Sequence, residues 1–168
     1  MVRHGDTVGL RDRSGWLGLV GFLALCFAAA AVGGLLTAPG LREWYAQIRK
    51  PDWTPPSWVF GPVWSALYLA MGVAAWKVWR QWHAPGRAFA LGLFLTQLGL
   101  NVLWPAVFFT MRSPALAAFE IVVLWAAVAA TTAAFARISR TAAMLMAPYL
   151  AWVTFASCLN FVIWRLNR

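Results

Sequence analysis

The chain has 168 residues, 62% of them hydrophobic and only 11% charged, with a mean hydropathy of +0.67. A soluble domain is about half apolar and about a quarter charged, and a disordered chain is poorer still in apolar residues, so both classes are excluded. The formal charge of +9, from 14 Lys+Arg against 5 Asp+Glu, is spread between apolar runs rather than gathered in a block, which favours membrane topology over a nucleic-acid partner.

Residues 1–15 read as a polar tail carrying Arg3, His4, Arg11 and Arg13. A first membrane span is expected over Trp16–Leu36, long enough to cross about 30 Å of hydrocarbon, which takes about 20 helical residues. Its alternative is a cleaved secretory signal, with Ala28–Ala31 as the small-residue region, but the apolar run exceeds the usual length of about 7–15 residues. Residues 37–57 form a Trp- and Pro-rich connection whose rigid rings and three prolines, Pro51, Pro55 and Pro56, argue for order, with a short surface helix over Leu41–Ile48.

Four further spans follow at Trp58–Trp76, Ala88–Met111, Ser113–Ala136 and Thr141–Trp164. Exposed backbone is not tolerated in lipid and the runs lack barrel alternation, so the fold class is all-α, an integral multi-pass membrane bundle of five helices. Met111–Pro114 and Arg137–Arg140 are tight turns. Bases on the tail, second and fourth connections number eight, against six on the other face (Arg42, Arg49, Lys50, Arg112, Arg165 and Arg168), a weak bias toward a cytoplasmic N-terminus. Cys26 and Cys158 lie in apolar runs and supply neither a disulfide framework nor a four-ligand zinc site.

Of the 12 tryptophans, Trp16, Trp44, Trp76, Trp79, Trp82 and Trp164 fall at span ends, as an interfacial belt would place them, whereas Trp64, Trp104, Trp125 and Trp152 lie inside spans. Trp64, Tyr68, Met71 and Ala75 make one stripe on the second helix. Gln97, Asn101 and Phe108 share a face of the third, which Pro105 is expected to break, and Pro148, Trp152, Ala156 and Asn160 share a face of the fifth. Buried amides in hydrocarbon need partners, so Gln97, Asn101 and Asn160 are expected to point inward, toward either neighbouring helices or a ligand. Glu120, the one carboxyl group inside a span, is either a neutral structural residue or part of a functional site. Ala88, Gly92 and Thr96 repeat at small-xxx-small spacing, suited to close helix packing within the bundle or between copies.

The stretch from Gly40 to Gly72, GLREWYAQIRKPDWTPPSWVFGPVWSALYLAMG, resembles the signature of the translocator protein or tryptophan-rich sensory protein family (TspO/MBR, also called peripheral-type benzodiazepine receptors). Gln97–Phe109 and Pro148–Asn160 agree with it, and the likeness runs from about Trp16 to the end. The resemblance implies a five-helix bundle, often homodimeric, that binds protoporphyrin and related tetrapyrroles under the first loop and requires no resident cofactor. It also implies transport, stress sensing or light-dependent porphyrin breakdown, so a receptor or carrier and a photochemical enzyme both remain open.

By position, the expected ligand-binding residues are Trp44, Trp53, Trp58, Trp64, Tyr68, Gln97, Asn101, Trp104, Glu120, Trp152 and Ala156, with Arg42, Arg49, Lys50 and Arg112 available to the propionates at the mouth. Ala88, Gly92 and Thr96 become the expected dimer interface. The sterol-recognition pattern of animal members is incomplete, because Phe161 stands where a Tyr is required. Neither His4 nor His83 is placed to reach such a pocket, so a metal-free porphyrin suits the sequence better than histidine-ligated haem, and no protein metal site is expected.

Overall fold

The computed structural model describes the backbone of residues 6–168 and the side chains from Gly15 onward. Arg3 and His4 lie outside the described residues, as do the side chains of Arg11 and Arg13. Five α-helices follow one another: α1 Asp6–Glu43, α2 Ser57–Trp79, α3 Arg87–Pro105, α4 Pro114–Ala136 and α5 Arg140–Leu166. All five contain segments long and apolar enough to cross a membrane, and no strand occurs among the described residues.

The helix ends follow local chemistry. Ser113 and Ser139 cap α4 and α5, their hydroxyls accepting from the backbone N–H of Leu116 at 3.5 Å and Ala142 at 3.3 Å, and Pro114 occupies the first turn of α4, where no N–H is needed. Gly86 precedes α3 with φ 78°, a left-handed conformation that costs glycine nothing.

Besides the start of α1 at Asp6, within the stretch expected as a polar tail, two ends differ from the sequence expectation. First, α1 continues to Glu43, so the surface helix expected over Leu41–Ile48 is instead the last residues of α1 followed by turns at 44–47. Pro39 sits within this extension. Gly40 makes it possible: a Cβ there would collide with the Phe109 carbonyl, so only glycine lets the end of α1 lie this close. Second, Pro105 does not stop the third span. The chain passes into a π-helical turn, Ala106–Thr110, in which Met111 N–H reaches the Ala106 carbonyl at 2.9 Å. Proline removes one rung of the α ladder, and the extra residue of a π turn absorbs the mismatch.

Around the bundle, α1 packs on α2, α2 on α5, α5 on α4, α4 on α3, and α3 on α1. One half of the bundle is filled by Met71, Phe94, Phe135, Met146 and Tyr149, with Phe94 and Phe135 stacked at 6.1 Å between centroids. A second cluster, Tyr45, Phe108, Phe109, Ala117, Leu159 and Ile163, closes the end that carries the long connection. Between the two, the core is hollow.

Candidate ligand-binding cavity

The hollow is a cavity of about 460 Å³ bounded by α1, α2, α3, the π turn, α5 and Tyr45 of the long connection; no residue of α4 reaches it. Its walls are aromatic. Trp64 meets Trp152 edge-on at 6.5 Å and 86°, Phe60 meets Trp152 at 5.8 Å, and Trp152 leans on Phe155 at 5.5 Å. The spacing of Trp64 and Tyr68 on α2, and of Trp152 and Ala156 on α5, is one helical turn, which turns each pair onto the same inner face.

The floor is a hydrogen-bonded triad drawn from three helices. The Tyr68 hydroxyl donates to Asn101 Oδ1, and Asn101 Nδ2 donates to the Tyr149 hydroxyl at 2.7 Å. Tyr149 is fully buried beneath the cavity, whereas Tyr68 and Asn101 line it. A second amide, Asn160, accepts from Trp104 Nε1 at 3.1 Å and donates to the Pro114 carbonyl at 2.9 Å, locking the Trp104 ring against Phe108 at 4.9 Å. Asparagines thus serve here as connectors between helices, and each also presents a face to the cavity.

The cap is held by packing and a clasp. Trp44 packs edge-on against Phe108 at 5.4 Å, Tyr45 against Phe109 at 5.6 Å, and Trp53 against Phe155 at 5.7 Å. Asn167 bonds the backbone of Arg49 twice, accepting its N–H at 2.9 Å and donating to its carbonyl at 2.8 Å, so the long connection is tied to the end of α5. The Lys50 ammonium donates to the Tyr45 carbonyl at 2.6 Å and lies 4.7 Å from the centre of its ring. Burial raises the Tyr45 hydroxyl above the ordinary tyrosine pKa.

Of the residues expected from the sequence, Trp64, Tyr68, Asn101, Trp104, Trp152 and Ala156 line the cavity together. Trp44 and Trp53 stand one layer away, as described above, and Trp58 is 76% exposed at the start of α2. Gln97 is wholly buried one turn beyond Asn101, below the floor, its Nε2 3.9 Å from Met71 Sδ and its Oε1 without a partner. Glu120 projects from α4, which does not border the cavity, and both its carboxyl oxygens are buried without partners.

None of the four cations lines the cavity. Arg42 follows the lining residue Leu41 and is exposed, Arg49 is exposed, and Lys50 is bound to Tyr45. Arg112, in a left-handed conformation at φ 52°, pairs with Glu43 at 2.9 Å. The lining residues that are exposed, Gly34 and Ala38 on α1 with Ser57, Gly61 and Ser65 on α2, open the cavity sideways between those two helices. Nothing lies within 4 Å of a Cβ built at Gly34 or Gly61, whereas at Gly72 it would approach Leu23 to 2.8 Å, so the helices meet tightly there and part toward the cavity.

Sequence reasoning missed Tyr149 and Asn167 as participants. Tyr149 heads an inward face with Val153 and Asn160, a stripe hidden by reading the face from Pro148. Among the described residues, no group of three or more His, Cys, Asp or Glu is placed to hold a metal ion.

The model of the TspO/MBR family matches residues 22–165. The chain belongs to this family. It is 41% identical to the human translocator protein over 156 residues, covering 91% of this chain and 92% of that protein. It is 43% identical to the tryptophan-rich sensory protein of Cereibacter sphaeroides over 152 residues (90% and 92%), and 42% identical to the tryptophan-rich protein TspO of Chlorobaculum tepidum over 146 (86% and 92%). The chain is thus an integral membrane protein of the TspO/MBR family with the five-helix architecture its composition required.

Proposed function

We propose that this TspO/MBR protein is a membrane receptor or carrier that takes a protoporphyrin-type tetrapyrrole into the cavity between α1, α2, α3 and α5, for porphyrin transport or stress sensing. The observation that carries this reading is the cavity itself: about 460 Å³, within the usual ligand-pocket range of about 300–1,000 Å³, walled by Trp64, Trp104, Trp152 and Phe155 over an Asn101–Tyr68 floor. Indole faces stack on an extended π-system and the amides orient its polar edge. The propionates would be met at the loop end, where Arg42 and Lys50 flank the lining residues Leu41 and Tyr45.

No histidine lines the cavity, so the donor set suits a metal-free porphyrin better than histidine-ligated haem. A homodimer through Ala88, Gly92 and Thr96 belongs to the same proposal, since all three are exposed on the outer face of α3. Absorption titration of protoporphyrin into the purified protein tests the reading. Saturation near one porphyrin per chain, abolished by filling the cavity with Ala156→Trp, is expected; non-saturating uptake that Ala156→Trp leaves unchanged contradicts it.

The packing of Trp64 against Tyr68 and Trp152 supports a second reading, light-dependent porphyrin breakdown, because oxidisable rings stand together at the cavity wall. Illumination of the porphyrin complex separates the two: a new chromophore that Trp64→Phe or Trp152→Phe removes favours the enzyme, and bleaching at the rate of free porphyrin favours the carrier.

A further inference from the structure

At the end of the bundle away from the cavity, the start of the described part of α1 and the last turn of α2 leave a notch of about 150 Å³ lined by Gly15, Trp16, Leu19, Trp76 and Arg80. Gly15 forms part of its lining, and nothing lies within 4 Å of where a Cβ on it would stand. The Trp76 indole N–H donates to the Gly15 carbonyl at 2.8 Å, which holds the ring upright as one wall. Arg80, one turn further along α2, lays its guanidinium 5.0 Å from the centre of that ring. The nearby Arg87 is already committed, donating to the Trp79 carbonyl at 2.8 Å and covering Trp82 at 4.9 Å. Among the described residues the Arg80 guanidinium has no carboxylate or carbonyl acceptor.

Among the described side chains, the charge around the notch has one sign. From Gly15 onward this end carries Lys77, Arg80, Arg87, Arg137 and Arg140 and no acidic residue, whereas the cavity end mixes its six bases with Glu43 and Asp52. Trp16, 66% exposed, and Leu19 form the lipid-facing side. An arginine fixed against an aromatic wall, at a span end and beside an apolar lip, matches a phosphate that stays at the membrane surface while its chains lie in the bilayer.

The geometry points to a binding site for one anionic phospholipid, its phosphate on Arg80 between Trp16 and Trp76 and its glycerol region against Leu19. The site is separate from the porphyrin cavity and does not depend on the function proposed for it. Lys77, three residues before Arg80, adds a second cation on the same turn of α2.

The test is native mass spectrometry of the full chain, released from mixed phosphatidylcholine–phosphatidylglycerol micelles, counting retained lipids. The parent is expected to retain one phosphatidylglycerol in preference to phosphatidylcholine. Arg80→Gln should weaken that retention about tenfold or more, the scale of losing a charge-assisted hydrogen bond. Gly15→Leu, which adds bulk at the lining of the notch while keeping every charge, should do the same, and Arg140→Gln, equal in charge change but outside the notch, should not. Equal losses in Arg80→Gln and Arg140→Gln, full retention in Gly15→Leu, equal retention of the two lipids, or displacement of phosphatidylglycerol by millimolar inorganic phosphate alone would each overturn the site.

Discussion

Asn101 holds the cavity floor together, and replacing it by leucine tests that role with little change in volume. Its side chain accepts from Tyr68 and donates to Tyr149, so Asn101→Leu strands two hydroxyls at once. They are not equivalent. Tyr68 lines the cavity and can turn its hydroxyl toward it, whereas Tyr149 is fully enclosed. Side-chain hydrogen bonds between membrane helices average about 0.6 kcal/mol and reach about 1.7. Assigning the lower value to Tyr68 and the upper to Tyr149 gives a loss of about 2 kcal/mol. At about 2–4 °C per kcal/mol for a chain of this size, the thermal midpoint in detergent should fall by roughly 4–8 °C. Adding Tyr149→Phe removes the stranded hydroxyl, so the double variant should be no less stable than Asn101→Leu alone, because removing both partners costs less than orphaning one. A midpoint for Asn101→Leu equal to the parent's, or a further additive drop in the double variant, would refute the triad as a structural unit.

Ala156 lines the cavity one turn from both Trp152 and Asn160; Ala156→Thr adds a methyl group and a hydroxyl that bonds back along α5, so porphyrin affinity measured by titration should drop about 5- to 150-fold, from strain of about 1–3 kcal/mol, while the protein stays folded and inserted. Gly92 is exposed with nothing within 4 Å of an added Cβ, so Gly92→Leu should leave the monomer's thermal midpoint unchanged while shifting cross-linked species in detergent from dimer to monomer. Glu120 is buried within the bundle and neither of its carboxyl oxygens has a partner, so Glu120→Gln should leave the thermal midpoint in detergent within about 2–4 °C of the parent's, about 1 kcal/mol, and Glu120→Lys should lower the folded yield by a penalty of about 3 kcal/mol.

The spans were legible because each is a run of about 20 apolar residues, and lipid permits only one backbone solution for such runs. Their ends were less so. The extension of α1 to Glu43 depends on Gly40 lying against the Phe109 carbonyl, and the π turn after Pro105 on how the chain repairs a missing N–H; neither is a property of its own segment. One-turn spacing brought Trp64, Tyr68, Asn101, Trp104, Trp152 and Ala156 to a common cavity. It failed to separate Asn101 from Gln97, because residues one turn apart share a face but not a depth: one lines the floor and the other lies beneath it. Tryptophans and cations in and next to the long connection carried no depth information at all. Trp58 faces outward and Arg112 is occupied by Glu43, outcomes set by residues far away in the chain. The Asn167 clasp on Arg49 spans 118 positions, so no local pattern announces it.

If a tetrapyrrole stacks against Trp64 and Trp152 inside the bundle, protoporphyrin will quench the intrinsic tryptophan fluorescence through those two rings. Trp64→Phe and Trp152→Phe each remove a cavity wall, while Trp58→Phe removes an indole that is 76% exposed and outside the cavity. Quenching should be saturable in the parent, with weaker apparent affinity in Trp64→Phe and Trp152→Phe and parental affinity in Trp58→Phe; the same affinity in all four proteins would refute stacking at these two rings.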